Sequence, residues 1–326
     1  MKNLLLIYGG GGTEHEVSLR SAQYFKDQID TNKFKIIEVE ITKKGRWEYE
    51  RQECFLNLKK QLVTNDELIE IDLAIPSIHG FPNESGQLPA MFELMGLPFL
   101  GCGQEASVLC FNKMSTKLWL ENAGIKTTPF ICLTSMKHIS KAEDFFVKNK
   151  NDVFVKASNQ GSSVGCYHCQ TKEELVFAIS EAFTLSPFVV LEKKISGREF
   201  ELSCFEYDSK IHFTHPCEIF APGENFYTYE QKYSNKSQTK VETIAKIPKD
   251  VVTEMKRQAE IAFDILKIRH LSRIDFFLCQ SGNVYLNEIN TMPGHTKISM
   301  FPVMMENYGV KYSDFLAEHL LSLSNS

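Results

Sequence analysis

The chain has 326 residues, of which 43% are hydrophobic and 24% charged, the composition of an ordinary globular protein. This length exceeds the roughly 250–300 residues at which one hydrophobic core stops growing, so we expect two or three domains and exclude a peptide hormone or disulfide mini-protein. The 36 Lys and Arg against 41 Asp and Glu give a formal charge of −5. No chain-wide basic field is therefore available to attract nucleic acid or an anionic membrane.

The cysteines and the N-terminus indicate the compartment. The nine cysteines are an odd number, scattered from Cys54 to Cys279 without the dense spacing of a secreted disulfide framework. Residues 4–8 form only a short apolar run before four glycines, too short for a signal-peptide core or a membrane span. We therefore expect a cytoplasmic protein with reduced cysteines that binds neither membrane nor nucleic acid.

The first hundred residues predict a parallel α/β unit. The apolar run at 4–8, the four glycines and helical spacing from about 16 to 29 are typical of strand, glycine turn and helix. Further strands are predicted at 35–40 and at 73–77, the second leading into a loop at 79–86. Strands that alternate with helices favour a parallel sheet.

The middle of the chain alternates helices with short strands. Residues 104–123 have a helical composition that ends at Pro129 and its neighbours, and a domain boundary near residue 103 fits this change. Thr171 and Glu174 form a capping box, which predicts a helix to about residue 183. The other elements predicted here are a helix at 141–150, strands at 153–156 and 188–192, and a small-residue loop at 158–165.

The last third of the chain predicts a sheet beside one long helix. A strand is predicted at 196–205 and an amphipathic helix at 251–266. Two strands, 274–278 and 284–290, are joined by a turn-rich link suited to a hairpin. Residues 221–240 predict a long polar loop, and a loop of that length within a compact domain usually serves as a lid or a binding loop.

Three local motifs suggest other chemistries that their context disfavours. Residues 9–12 lack the third glycine of a dinucleotide fingerprint, so a structural turn and a ligand loop both remain open there. Residues 161–165 match the nucleophile elbow of serine hydrolases, but the following sequence predicts a strand where an elbow requires a helix. Small residues that expose backbone N–H groups suit phosphate better. Cys166 and Cys169 would face opposite sides of a strand, which favours core packing over a zinc site.

Polar side chains on the predicted hairpin form the sharpest constellation. Glu288 and Asn290, two residues apart, project from one face of their strand, and Asp275 lies on the neighbouring strand. Oxygen ligands on one face suit Mg²⁺, which takes one or two carboxylates plus substrate phosphates. Arg273 adds a cation to that face. The alternative is a set of solvated polar positions on an exposed sheet face.

These segments together resemble the D-alanine:D-alanine ligases, a family within the ATP-grasp carboxylate-amine ligases. The resemblance spans nearly the whole chain and rests on many ordered matches. The matching residues are 14–19, 79–80 with 84–86, 93–98, 156 with 161–165, 192–193, 196–200, 232–233, 273–275 and 287–294.

The resemblance implies an α/β fold of the ATP-grasp type. It divides the chain into an N-terminal α/β domain with a Rossmann-like parallel sheet (1–103), a central ATP-grasp part (104–187) and a C-terminal ATP-grasp part with the metal site and the lid loop (188–326). The last two parts would hold ATP between their sheets.

The resemblance also implies ATP-dependent ligation of two D-alanine molecules through an acyl phosphate, for bacterial peptidoglycan precursors. It further implies two Mg²⁺ ions, with Mn²⁺ as a substitute, and a homodimer. One alternative is a ligase that joins D-alanine to D-lactate or D-serine. Another is a nucleotide-binding regulatory protein without turnover, against which the intact set of Arg273, Asp275, Glu288 and Asn290 weighs.

The same resemblance assigns roles at the two alanine sites. Glu14 would hold the ammonium group of the first D-alanine, and His79 would lie near its carboxylate. Ser162 and Tyr233 would link Glu14 to the lid. Arg273 and the Gly294 amide would bind the oxyanion of the tetrahedral intermediate. Ser299 would bind the carboxylate of the second D-alanine.

The remaining roles concern ATP and the metal ions. The implied metal ligands are Asp275, Glu288 and Asn290. The implied nucleotide-binding residues are Lys113, Lys156, Ser162, Ser163, Glu192, Lys193, Ile195, Glu199 and Lys232.

Overall fold

The computed structural model describes residues 1–220 and 240–325, which form four β-sheets and the helices packed on them. The helices are α1 (His15–Gln28), α2 (Gln87–Met95), α3 (Gln104–Phe111), α4 (Lys113–Asn122), α5 (Ile139–Lys148), α6 (Lys172–Leu185), α7 (Lys249–Ile265), α8 (Met300–Tyr308) and α9 (Tyr312–Ser324), with a 3₁₀ turn at Met136–His138. Among these described residues, no helix has the length and apolar character needed to span a membrane.

The strands complete the list of elements. They are β1 (Lys2–Gly9), β2 (Phe34–Ile41), β3 (Trp47–Tyr49), β4 (Gln52–Glu53), β5 (Phe55–Leu56), β6 (Gln61–Val63), β7 (Leu68–Glu70), β8 (Leu73–Ser77), β9 (Phe130–Leu133), β10 (Val153–Ala157), β11 (Cys166–Cys169), β12 (Val189–Lys193), β13 (Gly197–Tyr207), β14 (Lys210–Phe213), β15 (Cys217–Phe220), β16 (Lys240–Glu242), β17 (Leu271–Cys279) and β18 (Val284–Asn290).

The N-terminal sheet has the predicted parallel centre. Its order is β4-β3-β2-β1-β8, and β1 pairs in parallel with both β2 and β8. The chain leaves β1 through a glycine turn, where Gly9 has φ +91° and a Cβ would collide with the carbonyl of Ile41. The antiparallel edge strands β3 and β4 and the three-stranded sheet β5-β6-β7 were not predicted, because strands of two or three residues show no periodicity.

The second sheet is antiparallel, with the order β11-β10-β12-β9. Its own core joins Leu133 and Val155 to Leu175 on α6 and Phe146 on α5. The predicted capping box is present, since Thr171 Oγ1 accepts from the N–H of Glu174 at 3.2 Å. The strand β11 directly after the small-residue loop confirms that this loop is not a nucleophile elbow.

The helical stretch predicted at 104–123 consists of two helices instead of one. Asn112 has an extended backbone, with φ −86° and ψ 100°, and separates α3 from α4. Its side chain caps α4 by accepting a hydrogen bond from the N–H of Ser115 at 3.1 Å. Both helices pack on the core of the third sheet through residues that include Ala106 and Leu120.

The third sheet has the order β16-β15-β13-β17-β18, with β14 paired to β13, and α7 packs on it. The predicted hairpin is β17 and β18, in which Asp275 lies opposite Glu288 and Arg273 opposite Asn290. The strands β14 and β15 were not predicted. The loop predicted at 221–240 lies outside the described residues except for Lys240, where β16 begins.

After β18 the chain returns to the N-terminal sheet. Phe301 on α8, with Tyr312 and Phe315 on α9, shares one core with Leu4 of β1 and Phe25 of α1. This return places the segment between β18 and α8 against the loop that follows β8. The helices α8 and α9 were not predicted from the sequence.

Candidate active site

A cavity of about 720 Å³ lies where the N-terminal sheet, the loop after β10 and the edge of the third sheet meet. A volume of this size suits a small-molecule site. The predicted residues that line it are Glu14, His79, Lys113, Ser162, Arg273, Glu288, Asn290, Gly294 and Ser299. The predicted residues that do not line it are Lys156, Ser163, Glu192, Lys193, Ile195, Glu199 and Asp275. Lys232 and Tyr233 lie outside the described residues.

Glu14 stands at the entry of α1, where its carbonyl accepts hydrogen bonds from the helix's first turn. Ser162 Oγ donates to Glu14 Oε1 at 2.5 Å, although the two residues are far apart in sequence. Cβ atoms built on Gly80 and Gly161 would lie 3.4 and 3.3 Å from Glu14 Oε2, so both loops approach this carboxylate closely. Ser162 and Ser163 have φ of +48° and +63°, a conformation that non-glycine residues rarely adopt and that is typical of functional loops.

His79 uses both of its ring nitrogens within the protein. Its Nδ1 lies 2.9 Å from the carbonyl oxygen of Met292, and its Nε2 lies 2.9 Å from Ser21 Oγ. Because a carbonyl oxygen can only accept, Nδ1 carries the proton and Nε2 accepts from the Ser21 hydroxyl. Burial lowers the pKa of His79, so the imidazole is neutral at pH 7.

Glu84, to which the sequence assigned no role, binds the backbone N–H of the same residue, Met292. Its carboxylate accepts from the N–H of Gly80 at 2.7 Å and from the N–H of Met292 at 3.2 Å. Burial, assisted by the charge of Glu14, raises the pKa of Glu84 to about 7. The loop after β8 therefore binds both backbone polar groups of Met292, which lies between Asn290 and Gly294: His79 donates to its carbonyl and Glu84 accepts from its N–H.

The hairpin brings its four polar side chains to one face. The Nε and Nη2 atoms of Arg273 donate to the two oxygens of Asp275, each at 2.7 Å, and Nε lies 3.5 Å from Glu201 Oε1. Asn290 Nδ2 lies 3.3 Å from Asp275 Oδ2. Burial alone lowers the pKa of Arg273, but Asp275 and Glu201 outweigh it and hold that pKa well above its ordinary value. The guanidinium is therefore a permanent positive charge at the cavity wall.

The donor set of this face fits a hard divalent cation. Asp275 and Glu288 lie opposite each other on adjacent strands, and Asn290 adds an amide oxygen on the same face. Each Asp275 oxygen accepts one hydrogen bond from Arg273, and Oδ2 is also 3.3 Å from Asn290 Nδ2, so this carboxylate is held in place on the face that carries Glu288 and Asn290. Lys113 Nζ lies 4.0 Å from Glu288 Oε2 and donates to the carbonyl of Gln160 at 2.5 Å.

The loop after β18 forms the opposite wall. Ser299 directly precedes α8, and its hydroxyl accepts from the N–H of Thr296 at 3.1 Å. A Cβ on Gly294 would lie 3.0 Å from Ser299 Oγ, so a larger residue there would displace this hydroxyl. His295 is fully buried, and its Nδ1 is 2.7 Å from the hydroxyl of Tyr312. The N-terminus of α8 and the Ser299 hydroxyl lie together on this wall, and both favour a carboxylate ligand.

The predicted nucleotide residues follow the junction between two sheets. Residues 194–196 join β12 of the second sheet to β13 of the third, so Glu192, Lys193, Ile195 and Glu199 cross from one sheet to the other. The N–H of Lys193 donates to the carbonyl of Pro129 at 2.9 Å.

A buried ionic cluster lies beside that junction. Lys156 Nζ donates to Glu192 Oε2 at 2.8 Å. Lys117, which no sequence motif marks, lies on the other side with Nζ 3.2 Å from Glu192 Oε1. Nothing in the local sequence of α4 marks Lys117, because its burial depends on how the helix packs against β12.

Glu206, His270 and His319 form a second group of potential metal ligands, with one atom from each within 4.8 Å of the others. The N–H of Gly101 donates to His270 Nδ1 at 2.9 Å, so the proton of this imidazole is on Nε2. That nitrogen then has no lone pair for a metal ion. The hydrogen bond from Gly101 therefore disfavours metal binding by this group.

Comparisons with known proteins agree over the whole chain. Residues 3–102 match the family model described as the D-ala D-ala ligase N-terminus, and residues 119–322 match the C-terminus of the same family. The D-alanine–D-alanine ligase of Shewanella piezotolerans is 43% identical over 327 residues, which cover 98% of each chain.

Solved structures also align over nearly the whole chain. D-alanyl-alanine synthetase A from Vibrio cholerae aligns with a TM-score of 0.94 at 41% identity, covering 100% of this chain and 99% of the other. A D-Ala:D-Ser ligase from Enterococcus faecalis aligns with a TM-score of 0.87 at 30% identity, covering 99% of both chains.

Proposed function

This chain belongs to the D-alanine–D-alanine ligase family and is an ATP-dependent ligase of ATP-grasp fold that joins two D-alanine molecules, and we propose that it does so in the cavity through an acyl phosphate. The observation that carries the proposal is the convergence of Glu14, Arg273, Gly294 and Ser299 on one space. These groups match the charges of two amino acids and of a developing oxyanion.

In the first step, a carboxylate oxygen of the first D-alanine attacks the γ-phosphorus of ATP, and ADP leaves. Glu14 holds the ammonium group of this alanine, since it is an anion at the cavity wall fixed by Ser162. His79 lies beside the alanine carboxylate and keeps the wall in place through Met292. Catalysis of this step consists chiefly of positioning and charge neutralisation.

In the second step, the ammonium group of the second D-alanine gives one proton to solvent, and the resulting amine attacks the acyl carbon. The oxyanion that forms receives hydrogen bonds from Arg273 and the Gly294 amide, and it collapses with release of phosphate, which takes the second proton of the nitrogen. Ser299, at the start of α8, binds the carboxylate of this second alanine. Water must be kept out of the cavity during this step, because it would hydrolyse the acyl phosphate.

The nucleotide binds along the junction of the second and third sheets. We propose that Lys113, Lys156 and Lys232 neutralise phosphate oxygens and that Ser162 and Ser163 close over the phosphates. Glu192, Lys193 and Ile195 contact adenine, and Glu199 contacts ribose. Asp275, Glu288 and Asn290 are the residues that would hold two Mg²⁺ ions, or Mn²⁺, whose charge offsets that of the phosphates. From the family resemblance alone, we propose that Tyr233 links Ser162 and Glu14 to the lid.

We also propose the organisation of the protein in the cell. The three parts are 1–103, 104–187 and 188–326, with α3 and α4 packing on the sheet of the last part. Leu94 and Val108, exposed on α2 and α3, are apolar side chains that the second copy in a homodimer would cover. The nine free cysteines fit a cytoplasmic location.

Product identification tests the function. The protein is incubated with ATP, Mg²⁺ and D-alanine, and the products are identified by mass spectrometry while phosphate release is followed. We expect D-alanyl-D-alanine, ADP and phosphate in equal amounts. Addition of D-lactate or D-serine as a competitor at neutral pH should leave the dipeptide of D-alanine as the main product. Predominant ester, predominant D-alanyl-D-serine or no turnover would each refute the proposal.

A further inference from the structure

Three charged side chains are buried together beside the nucleotide junction. Lys117 of α4 is 1% exposed, Glu192 of β12 is 3% exposed, and Lys156 of β10 is 7% exposed. The carboxylate lies between the two ammonium groups, 3.2 Å from Lys117 Nζ and 2.8 Å from Lys156 Nζ. Two cations thus share one anion, and the cluster has an excess positive charge inside the protein.

The two lysines are held differently. Lys117 donates to Thr128 Oγ1 at 2.7 Å and lies over the ring of Phe130, 5.2 Å from its centroid, so it has partners besides Glu192. Among the described residues, Lys156 Nζ has only Glu192 as a hydrogen-bond partner. Lys117 is therefore the fixed member of the cluster, and Lys156 is the member that can turn towards a ligand.

The electrostatics keep Glu192 ionised. Burial alone raises the pKa of this carboxyl, but Lys117 and Lys156 outweigh burial and bring the pKa to about 2. If Lys156 turned to a phosphate in the absence of Lys117, a buried carboxylate would remain without a cation. Leaving a buried charge unpaired is strongly unfavourable.

We propose that Lys117 is a positioning residue for ATP: it holds Glu192 in place and paired, which frees Lys156 to bind a phosphate group. This inference rests on the proposed nucleotide site. Lys117 does not touch ATP in this scheme and acts only through Glu192. The excess positive charge of the cluster is balanced when the anionic nucleotide arrives.

The test compares Lys117→Met with the wild-type enzyme in steady-state kinetics. The methionine keeps the length of the side chain and removes the charge. We expect KM for ATP to rise at least about tenfold, while KM for D-alanine stays within about twofold. Lys141→Met, a change of an exposed lysine on α5, is the matched control and should leave both constants unchanged.

A double-mutant cycle separates this role from a merely structural one. If Lys117 acts through Glu192, then Lys117→Met in a Glu192→Gln background should raise KM for ATP by less than about threefold further. Multiplicative effects, or equal rises in KM for ATP and for D-alanine, would overturn the proposal. Thr128→Val, which removes the hydroxyl that accepts from Lys117, should raise KM for ATP by a smaller factor even if Lys117→Met fails to fold. An unchanged KM for ATP in Thr128→Val would count against the proposal.

Calorimetric titration with a non-hydrolysable ATP analogue distinguishes this inference from the proposed function. Weaker analogue binding by Lys117→Met than by wild type supports the inference even if the wild-type enzyme forms no dipeptide. Equal binding by the two proteins would refute it even if the wild-type enzyme is fully active.

Discussion

Replacing Glu84 by glutamine should change how the stability of the protein depends on pH. Burial and the charge of Glu14 raise the pKa of Glu84 from 4.5 to about 7, against the opposing hydrogen bonds from Gly80 and Met292. Because the pKa is raised in the folded state, folding favours the protonated carboxyl. The stabilisation from this group is fully present below pH 4.5 and is lost as the pH rises through about 7.

The magnitude follows from the size of the shift. The difference between 4.5 and about 7 is about 2.5 pKa units, or roughly 3.4 kcal/mol at about 1.36 kcal/mol per unit. Glu84 is partly exposed, so we reduce this to about 2 kcal/mol for solvent screening. Glutamine does not titrate. The stability of wild type relative to Glu84→Gln should therefore fall by about 2 kcal/mol between about pH 5 and about pH 8.

Urea unfolding at several pH values measures this difference. Both proteins are unfolded under matched conditions, and the midpoints are converted to free energies with a common slope. Glu121→Gln, a change of an exposed carboxylate on α4, serves as the control for loss of one negative charge. A wild-type stability that stays at a constant offset from Glu84→Gln across this pH range would refute the assignment of Glu84 as a buried, titrating carboxyl.

Three further predictions concern single side chains. Glu288→Gln should reduce dipeptide formation to below about 1% of wild type, because it removes the charge of a metal ligand. The melting temperature should not change, because the side-chain volume is nearly the same. A near-native kcat would refute the metal assignment. Arg273→Lys should lower kcat by at least about 100-fold, since lysine cannot reproduce the two guanidinium hydrogen bonds to Asp275 at 2.7 Å. A kcat within a factor of two of the wild-type value would contradict the oxyanion role. Tyr312→Phe should destabilise the protein by about 1–3 kcal/mol without changing KM for ATP, because buried His295 Nδ1 loses its partner. If the variant unfolds at the same urea concentration as wild type, this hydrogen bond contributes nothing to stability.

The sequence predicted those elements whose periodicity is long enough to detect. The parallel pairing of β1 with β2 and β8, the capped helix α6 and the hairpin of β17 and β18 all follow from runs of four or more patterned residues. The strands β3 to β7 are too short to show a pattern. Asn112 divides a continuous helical composition because its side chain caps α4, and composition alone does not reveal such a cap.

The site was predictable where neighbouring residues in the chain also meet in space. Arg273 and Asp275 share a strand face, and their contact follows from a spacing of two residues. The contact of Ser162 with Glu14 follows from the family resemblance and not from spacing, because Ser162 lies in a loop of the second sheet and Glu14 in a loop of the N-terminal sheet. Glu84 and Lys117 gave no local signal, since their roles arise from contacts with Met292 and Glu192 that only the folded chain creates.

The cores explain why the alanine and nucleotide sides of the site differ in construction. The segment from Asn290 to Ser299 is anchored at one end by β18 and at the other by α8, whose Phe301 is buried in the core that contains Leu4. His79 and Glu84 grip the same segment from the N-terminal loop. The alanine side is therefore built on one shared core. The second sheet has a separate core, and it reaches the rest of the site through α4, the link at 194–196 and the loop after β10, whose Ser162 contacts Glu14. Lys117 on α4 lies at one of these connections, where the nucleotide side meets the rest of the protein.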